Sequence, residues 1–387
     1  MKISHTAPLI LSVITVLGLV APKAEAFLLI SNSESNNIVV FDETTGQFLG
    51  DFTTPGLGGL RAPDDLTFGP DGNLYVSIGG SNSLSLLDPT YPQDSAVLKF
   101  SPSGQFLGVA ASGNGLARPY GNAFGPDGNL YVSSFRSNQI LRFNGQTGEF
   151  IDVFASNNNN GLGSIGGLNG PNGLLFGPDG SLYVTIEGTA NDANGNLVFG
   201  SPENGFRSQV LRYSPEQVKG LVPTTTPEVF IDQPTPLDES FGFVSLLGIV
   251  LAPDEQSFFV SDFAGGIREY DLVGNLVNVL STNYTGTTPS NNFIGSLTFG
   301  IGSTANNLYV IGFDFTNENE GSVLEFGNGQ GSPTSFTGTL FTSPSLLRPI
   351  GVVAAIPEPS TIAGILLGCS GLGATWLRKR CGKGGKG

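Results

Sequence analysis

Between residues 27 and 356 the chain has no histidine, cysteine, methionine or tryptophan, because His5, Met1, Trp376, Cys369 and Cys381 all lie outside that span. An imidazole base, a thiol nucleophile, His/Cys zinc or haem ligation and a disulfide are therefore excluded within it. What remains is oxygen and guanidinium chemistry, gathered ahead of a repeated apolar run. Arg61, Asp64 and Asp65 precede one copy, Arg118, Tyr120 and Asn122 the second, Asn172 the third, and Arg348 the last. Carboxylates and amides without His or Cys are hard oxygen donors, suited to Ca²⁺ rather than to zinc. Arg61, Arg118, Arg136 and Arg348 could form a partly basic ring for a carboxylate or an anionic sugar. With so many Asp and Glu nearby, the expectation is that these arginines pair with them.

The elements that must position these side chains are repeats. FGPDGNLYVS occurs unchanged at Phe68–Ser77 and Phe124–Ser133, and FGPDGSLYVT follows at Phe176–Thr185. A period near fifty residues signals stacking of one supersecondary unit. Asp-Gly between two apolar runs marks a hairpin. Further runs downstream, such as ILRF and GEFIDVF after the second copy, make four short strands per unit. Four antiparallel strands per repeat describe a propeller blade. Weaker copies begin at Gly248 and Gly295. Phe27–Phe52 supplies strands two to four of a further unit, and Leu346–Ala355 supplies its first strand. The expected fold is all-β, a six-bladed β-propeller of four-stranded blades closed by pairing the N-terminal strands with the C-terminal one, which leaves no unpaired sheet edge at the ring junction.

In this arrangement Asp71, Asp127 and Asp179 of the Pro-Asp-Gly turns are expected to be structural. The strand-one approaches instead meet the channel mouth on the opposite face, the usual ligand position in radial folds. Loops around Ser81, Arg136, Glu187–Arg207, Asp262 and Asp314 should reach the same face. Glu187, Asp192 and Asn194 do not follow the spacing of an EF-hand loop, so a solvated surface excursion is expected there. Asn157–Asn160 is a polar low-complexity turn with no assigned chemistry.

Both chain ends read as processed segments. Lys2, the apolar run Leu9–Val20 and Ala24-Glu25-Ala26 describe a secretory signal helix over residues 1–26, with cleavage after Ala26. Pro357-Glu358-Pro359 is followed by an apolar stretch at 361–377, short but sufficient for a transmembrane helix, and then by Arg378-Lys379-Arg380. The segment 357–387 resembles a PEP-CTERM sorting signal. That resemblance implies recognition by an exosortase-type processing enzyme, transient residence in the inner membrane, and delivery to the cell surface or an extracellular polysaccharide matrix.

The propeller over residues 27–356 resembles the NHL and gluconolactonase (SMP-type) six-bladed families, most closely in PNGLLFGPDGSLYV at Pro171–Val184. The resemblance implies a divalent-metal role for Asn172, and for Asp64 at the equivalent place in PDDLTFGPDGNLYV. Virginiamycin B-type lyases look alike but depend on a histidine that this span lacks. Seven of the 17 basic residues and two of the 32 acidic ones lie in the processed ends, which leaves 10 against 30, or net −20. That charge repels nucleic acid. The leading expectation is an exported, surface-sorted binding or structural module of the envelope or its polysaccharide, with extracellular polysaccharide or envelope proteins as partners and no catalytic residue assigned. The alternative is a Ca²⁺-dependent lactonase-type hydrolase at the channel mouth.

Overall fold

A computed structural model of the chain describes residues 26–79, 95–156, 166–191, 197–198 and 200–356. The chain opens with β1 (Phe27–Asn32), β2 (Asn37–Asp42) and β3 (Phe48–Asp51). Blade 1 follows as β4 (Leu66–Phe68), β5 (Leu74–Ile78), β6 (Ala96–Phe100) and β7 (Phe106–Ser112). Blade 2 comprises β8 (Pro119–Phe124), β9 (Leu130–Ser134), β10 (Gln139–Phe143) and β11 (Phe150–Ser156). Blade 3 uses β12 (Pro171–Phe176) and β13 (Leu182–Ile186), then a small hairpin of β14 (Ala190–Asn191) and β15 (Leu197–Val198), then β16 (Gln209–Tyr213) and β17 (Glu228–Ile231). Blade 4 is β18 (Leu246–Leu251), β19 (Ser257–Asp262), β20 (Ile267–Asp271) and β21 (Leu276–Leu280). Blade 5 is β22 (Asn292–Phe299), β23 (Leu308–Asp314), β24 (Glu320–Phe326) and β25 (Thr339–Leu347). Finally β26 (Pro349–Ala355) pairs antiparallel with β1, giving a sixth sheet ordered β26-β1-β2-β3. The six four-stranded blades and the closure at the two ends match the expectation.

Among the described residues there is no single central core; six apolar clusters occur, one at each junction between neighbouring blades. Alternate residues of β1 serve different junctions: Phe27 and Leu29 pack toward blade 1, and Leu28 and Ile30 toward blade 5. A strand buried on both faces must read as a nearly continuous apolar run, as FLLI does.

The repeated decamer is adhesive between blades. Phe124, which opens the second copy, packs edge-on at 4.7 Å against Tyr75 of the first, and Phe176 of the third copy meets Tyr131 of the second at 5.0 Å. Each tyrosine also belongs to a turn network. Asp71 accepts from the Asn73 backbone, from Tyr75 Oη at 3.1 Å and from Lys99 Nζ at 2.6 Å. Asp127 repeats this with Tyr131 and Arg142, and Asp179 pairs with Arg212 while Tyr183 lies beneath that guanidinium. Burial raises the Asp71 carboxyl, but the bonds from Lys99, Asn73 and Tyr75 outweigh it and bring it down to about 2. The aspartates of the Pro-Asp-Gly turns are thus parts of the scaffold, as the turn chemistry predicts.

The signal segment up to residue 25, with Ala24, lies outside the described residues; Ala26 directly precedes β1, its carbonyl accepting from the Glu43 N–H at 3.2 Å. Pro357, Glu358 and Pro359, the 361–377 span, and Arg378, Lys379 and Arg380 also lie outside them. Among the described residues no helix is long and apolar enough to cross a membrane.

Blade 4 contains a buried ion pair, Arg268 to Asp262 at 3.1 Å, with Arg268 Nη2 also donating to the Thr235 carbonyl at 2.8 Å. Removing one partner strands a buried charge, which costs about 3–5 kcal/mol. Arg268→Ala is therefore expected to lower unfolding free energy by about that amount in urea titration, and a loss below ~1 kcal/mol would show the pair to be unimportant.

Candidate functional site

Every first strand of a blade carries the same irregularity. In blades 2 to 5 and the closing blade, two residues of the first strand oppose one residue of the second. Blade 1 does the same, with Asp64 and Asp65 bonded to the backbone of Ser77. A hydroxyl from the second strand often fixes the bulge: Ser133 accepts the Gly121 N–H at 2.8 Å, Thr185 that of Gly173, and Ser31 that of Gly351. These hydroxyls are the final Ser or Thr of the decamer or their counterparts. In blades 2, 3, 4 and the closing blade the second bulge position is glycine, because the next blade comes close. A Cβ at Gly121 would stand 2.3 Å from the Asn172 carbonyl, and one at Gly351 2.1 Å from that of Asp64. The first bulge position reads Asp64, Tyr120, Asn172, Leu247, Gly295 and Ile350 around the ring, and varies freely except in blade 5, where a Cβ at Gly295 would stand 2.5 Å from the Ile350 carbonyl. Three consecutive blades are polar there and three are not.

The polar side is one electrostatic unit. Asn172 Nδ2 donates to Glu187 Oε1 at 2.7 Å, so the residue that opens the irregular excursion of blade 3 turns back to the mouth. Burial, together with Asp65 and Glu187, pushes the Asp64 carboxyl well above the usual range, against the pull of Arg118 and Arg348. Burial likewise raises Glu187 to about 7, opposed by the Asn172 amide and by Arg118 and Arg136. Asp65 is raised by burial to about 6 while accepting from the Asn122 N–H at 3.1 Å. Tyr120 is pushed up by burial and feels Arg118, Glu187 and Asp64. Asp64, Asp65, Tyr120 and Glu187 are surrounded by protein yet keep part of their surface open to water, as residues of a narrow channel wall do.

Two of the arginines adopt an unusual backbone. Arg118 (φ 52°) and Arg348 (φ 49°) are left-handed immediately before a strand-one proline, where Gly170 serves blade 3 at φ 74°. A side chain in that conformation costs about 1–2 kcal/mol relative to right-handed backbone, and such outliers concentrate at functional positions. Arg118 stacks over Tyr120 at 4.9 Å, and Arg348 over Phe313 at 5.9 Å. Among the described residues Arg348 has no carboxylate within ion-pair distance, so the expected pairing with Asp or Glu does not extend to it.

The other side of the mouth is aromatic, and the sequence reading did not find it. Phe293 stacks on Phe263 at 4.3 Å and on Phe315 at 4.6 Å, with Phe241 5.5 Å from Phe315 and Phe313 beneath. Phe241 and Phe243 are 40% and 41% exposed. The available signal was positional: FGF at 241–243, Phe263 and FDF at 313–315 lie before the first strand or at and after the end of the second strand in blades 4 and 5, Phe263 and Phe313 matching Phe135 of blade 2.

The structure brings Asp64, Asp65, Arg118, Tyr120, Asn172, Glu187 and Arg348 together, with Arg136 coupled to Glu187. Others serve the scaffold. Asp262 is held in the buried pair with Arg268, Asp314 caps its own turn by accepting from Thr316 N at 2.8 Å, and the Asn122 amide donates to Ser77 Oγ at 3.0 Å. Arg61 contributes its carbonyl to Gly79 N at 3.3 Å. Ser81, Asn157–Asn160, Asp192 and Asn194 lie outside the described residues. Among the described residues no three His, Cys, Asp or Glu side chains gather closely enough to hold a metal ion. Asp64 and Glu187 both feel the Arg118 cation, and the Asn172 amide nitrogen rather than its oxygen is turned to Glu187, so this donor set does not fit Ca²⁺ as it stands. A cleft of about 750 Å³, lined by Leu237, Glu239, Asn283 and Phe336, lies elsewhere on blades 4 and 5 and contains none of these residues. Convergent polar groups identify a site better than volume does, so the mouth is the stronger candidate.

No family model and no curated protein matches the chain. Solved structures do match in fold. The nidogen/laminin complex aligns at 13% identity over 86% of this chain and 99% of the other, with a TM-score of 0.55. A protein of unknown function from Bacteroides caccae aligns at 12% identity over 86% and 100%, with a TM-score of 0.50. A virginiamycin B lyase from Staphylococcus aureus aligns at 13% identity over 86% and 92%, with a TM-score of 0.45. At these identities the chain shares the propeller fold and nothing finer is shown.

The raised Glu187 carboxyl predicts a pH dependence. Its value near 7 exceeds the ordinary 4.5, so the folded state binds the proton more tightly than the unfolded chain. Its contribution to stability is present below about pH 4.5 and is lost as pH rises through about 7. Glu187→Gln keeps an acceptor for Asn172 and removes the titration. The variant is expected to be the more stable at pH 8 and to show a flatter urea midpoint from pH 4.5 to 7.5; equal slopes would contradict this.

Proposed function

We propose that the chain is an exported, surface-sorted β-propeller that binds a component of the cell envelope or its extracellular polysaccharide through the channel mouth. The observation that carries this is the variation at the first bulge position. Leu247 and Ile350 occupy it in blade 4 and the closing blade, so the fold does not require polarity there. Asp64, Tyr120 and Asn172 occupy it in blades 1 to 3, coupled to Glu187 and to arginines whose left-handed backbone glycine would relieve. Costly residues collected at one open mouth support recognition rather than scaffold building. The signal segment, the Pro-Glu-Pro motif and the basic tail support export and exosortase-type processing, with the 361–377 span holding the precursor in the inner membrane. The net charge of −20 within residues 27–356 opposes nucleic acid as a partner.

The hydrolase alternative has less in its favour, because the Asn172 amide nitrogen is turned to Glu187 and, among the described residues, no three carboxylates gather closely enough to hold a metal ion. Binding is tested by retention of the intact chain on immobilised native exopolysaccharide with and without EDTA. Retention that survives EDTA is expected, together with a melting temperature that EDTA leaves unchanged. No retention under either condition would sink the binding reading, and a Ca²⁺-dependent rise in melting temperature with lactone hydrolysis would favour the enzyme.

A further inference from the structure

The mouth is divided into two chemically distinct halves, and Arg348 stands on the boundary. It lies in the closing blade, between blade 5 with its phenylalanines and blade 1 with Asp64. Its guanidinium rests over Phe313 and acts on Asp64, which places it between the apolar platform and the hydrogen-bonding wall. Among the described residues it has neither a carboxylate partner nor a side-chain hydrogen bond, and its backbone is held in the left-handed region that Gly170 occupies elsewhere. A planar, permanently charged fork on a ring face is suited to a carboxylate.

On one side of that cation lie Phe241, Phe293 and Phe315, with Phe241 40% exposed at the rim. The negative faces of aromatic rings attract the polarised C–H groups of a flat alicyclic body. On the other side Asn172, Glu187 and Asp64 present donors and acceptors. An aromatic acid would satisfy the cation and the rings but leave these polar groups without a purpose. A neutral sugar would use the polar groups and the rings but not the cation.

We propose that the channel mouth binds a carboxylated sugar, its carboxylate on Arg348, its C–H face on the Phe241–Phe293–Phe315 platform and its hydroxyls toward Asn172 and Glu187. This rests on the reading of the mouth as a binding face and names the chemistry of the ligand. It also reconciles the site with the acidic chain. A net charge of −20 opposes a dense polyanion, whereas one carboxylate at a time meets the Arg348 guanidinium.

The test is calorimetric titration of the intact chain with trigalacturonate, its fully methyl-esterified form and 2-naphthoate. Trigalacturonate is expected to bind saturably, and esterification to weaken it about ten-fold or more, the scale of a lost charge-assisted hydrogen bond. Arg348→Gln should weaken trigalacturonate as much and leave the ester unchanged. Phe241→Ala, at an exposed position where the fold tolerates truncation, should weaken both sugars about three-fold or more. Thermal melts of both variants check that the propeller is intact. Equal binding of ester and acid, or an Arg348→Gln variant that still distinguishes them, overturns the proposal. So does tighter binding of 2-naphthoate than of trigalacturonate, or no binding of trigalacturonate at all. If any of these occurs while native exopolysaccharide is still retained, the carboxylated-sugar assignment fails and the binding reading stands; loss of both defeats the two together.

Discussion

Every blade of this protein buries both of its faces, and it does so only against the two blades beside it. The apolar clusters sit at the junctions, not on a common axis, so no blade has a core of its own. A row of such sheets would leave an apolar face bare at each end. Pairing β1 with β26 removes both bare faces and both free edges at once, over a register running from Phe27 opposite Ala355 to Asn32 opposite Pro349. Closure is cooperative for the same reason. The strands that complete the ring come from opposite ends of the propeller sequence, so their pairing carries the largest loop-closure entropy of any contact in the ring.

The ring also sets the terms on which a site can exist. Neighbouring first strands approach so closely that the second bulge position is small or, at Asp65, bonded to the next blade through the Asn122 N–H. What the scaffold leaves open is the first bulge position, the residue before the strand-one proline, and the loops after the second strand. Those are the places where polar and aromatic residues are unevenly distributed. Selection for packing explains the identical decamers, because Phe124 must fit Tyr75 as Phe176 fits Tyr131. It does not explain an arginine held left-handed at 118 and 348.

Much of this was legible in the residues. FGPDGNLYVS announces its own hairpin because the turn chemistry is local, and its copies give the blade count and the split closing blade. Asp64, Asn172, Arg118, Tyr120 and Arg348 could be placed near one mouth because the repeat carries the register from one blade to the next. Asp262 and Asp314 shared that register, but no local signal marks them as scaffold. Asp262 is satisfied by Arg268 six residues on, and Asp314 by Thr316 in its own turn. The phenylalanines were missed because each one looks like ordinary core when read alone.

The sequence by itself determined the repeat, the four strands of each unit, the closure and the absence of imidazole and thiol chemistry between residues 27 and 356. All of these follow from local turn preferences, short-period patterning and composition. Only the tertiary structure decided which side chains meet. Glu187 reaches Asn172, Arg348 lies between Phe313 and Asp64, and Phe241 joins Phe315, although these partners belong to different strands or blades. Contacts of that kind depend on the radius and rotation of the assembled ring, which no window along the chain contains.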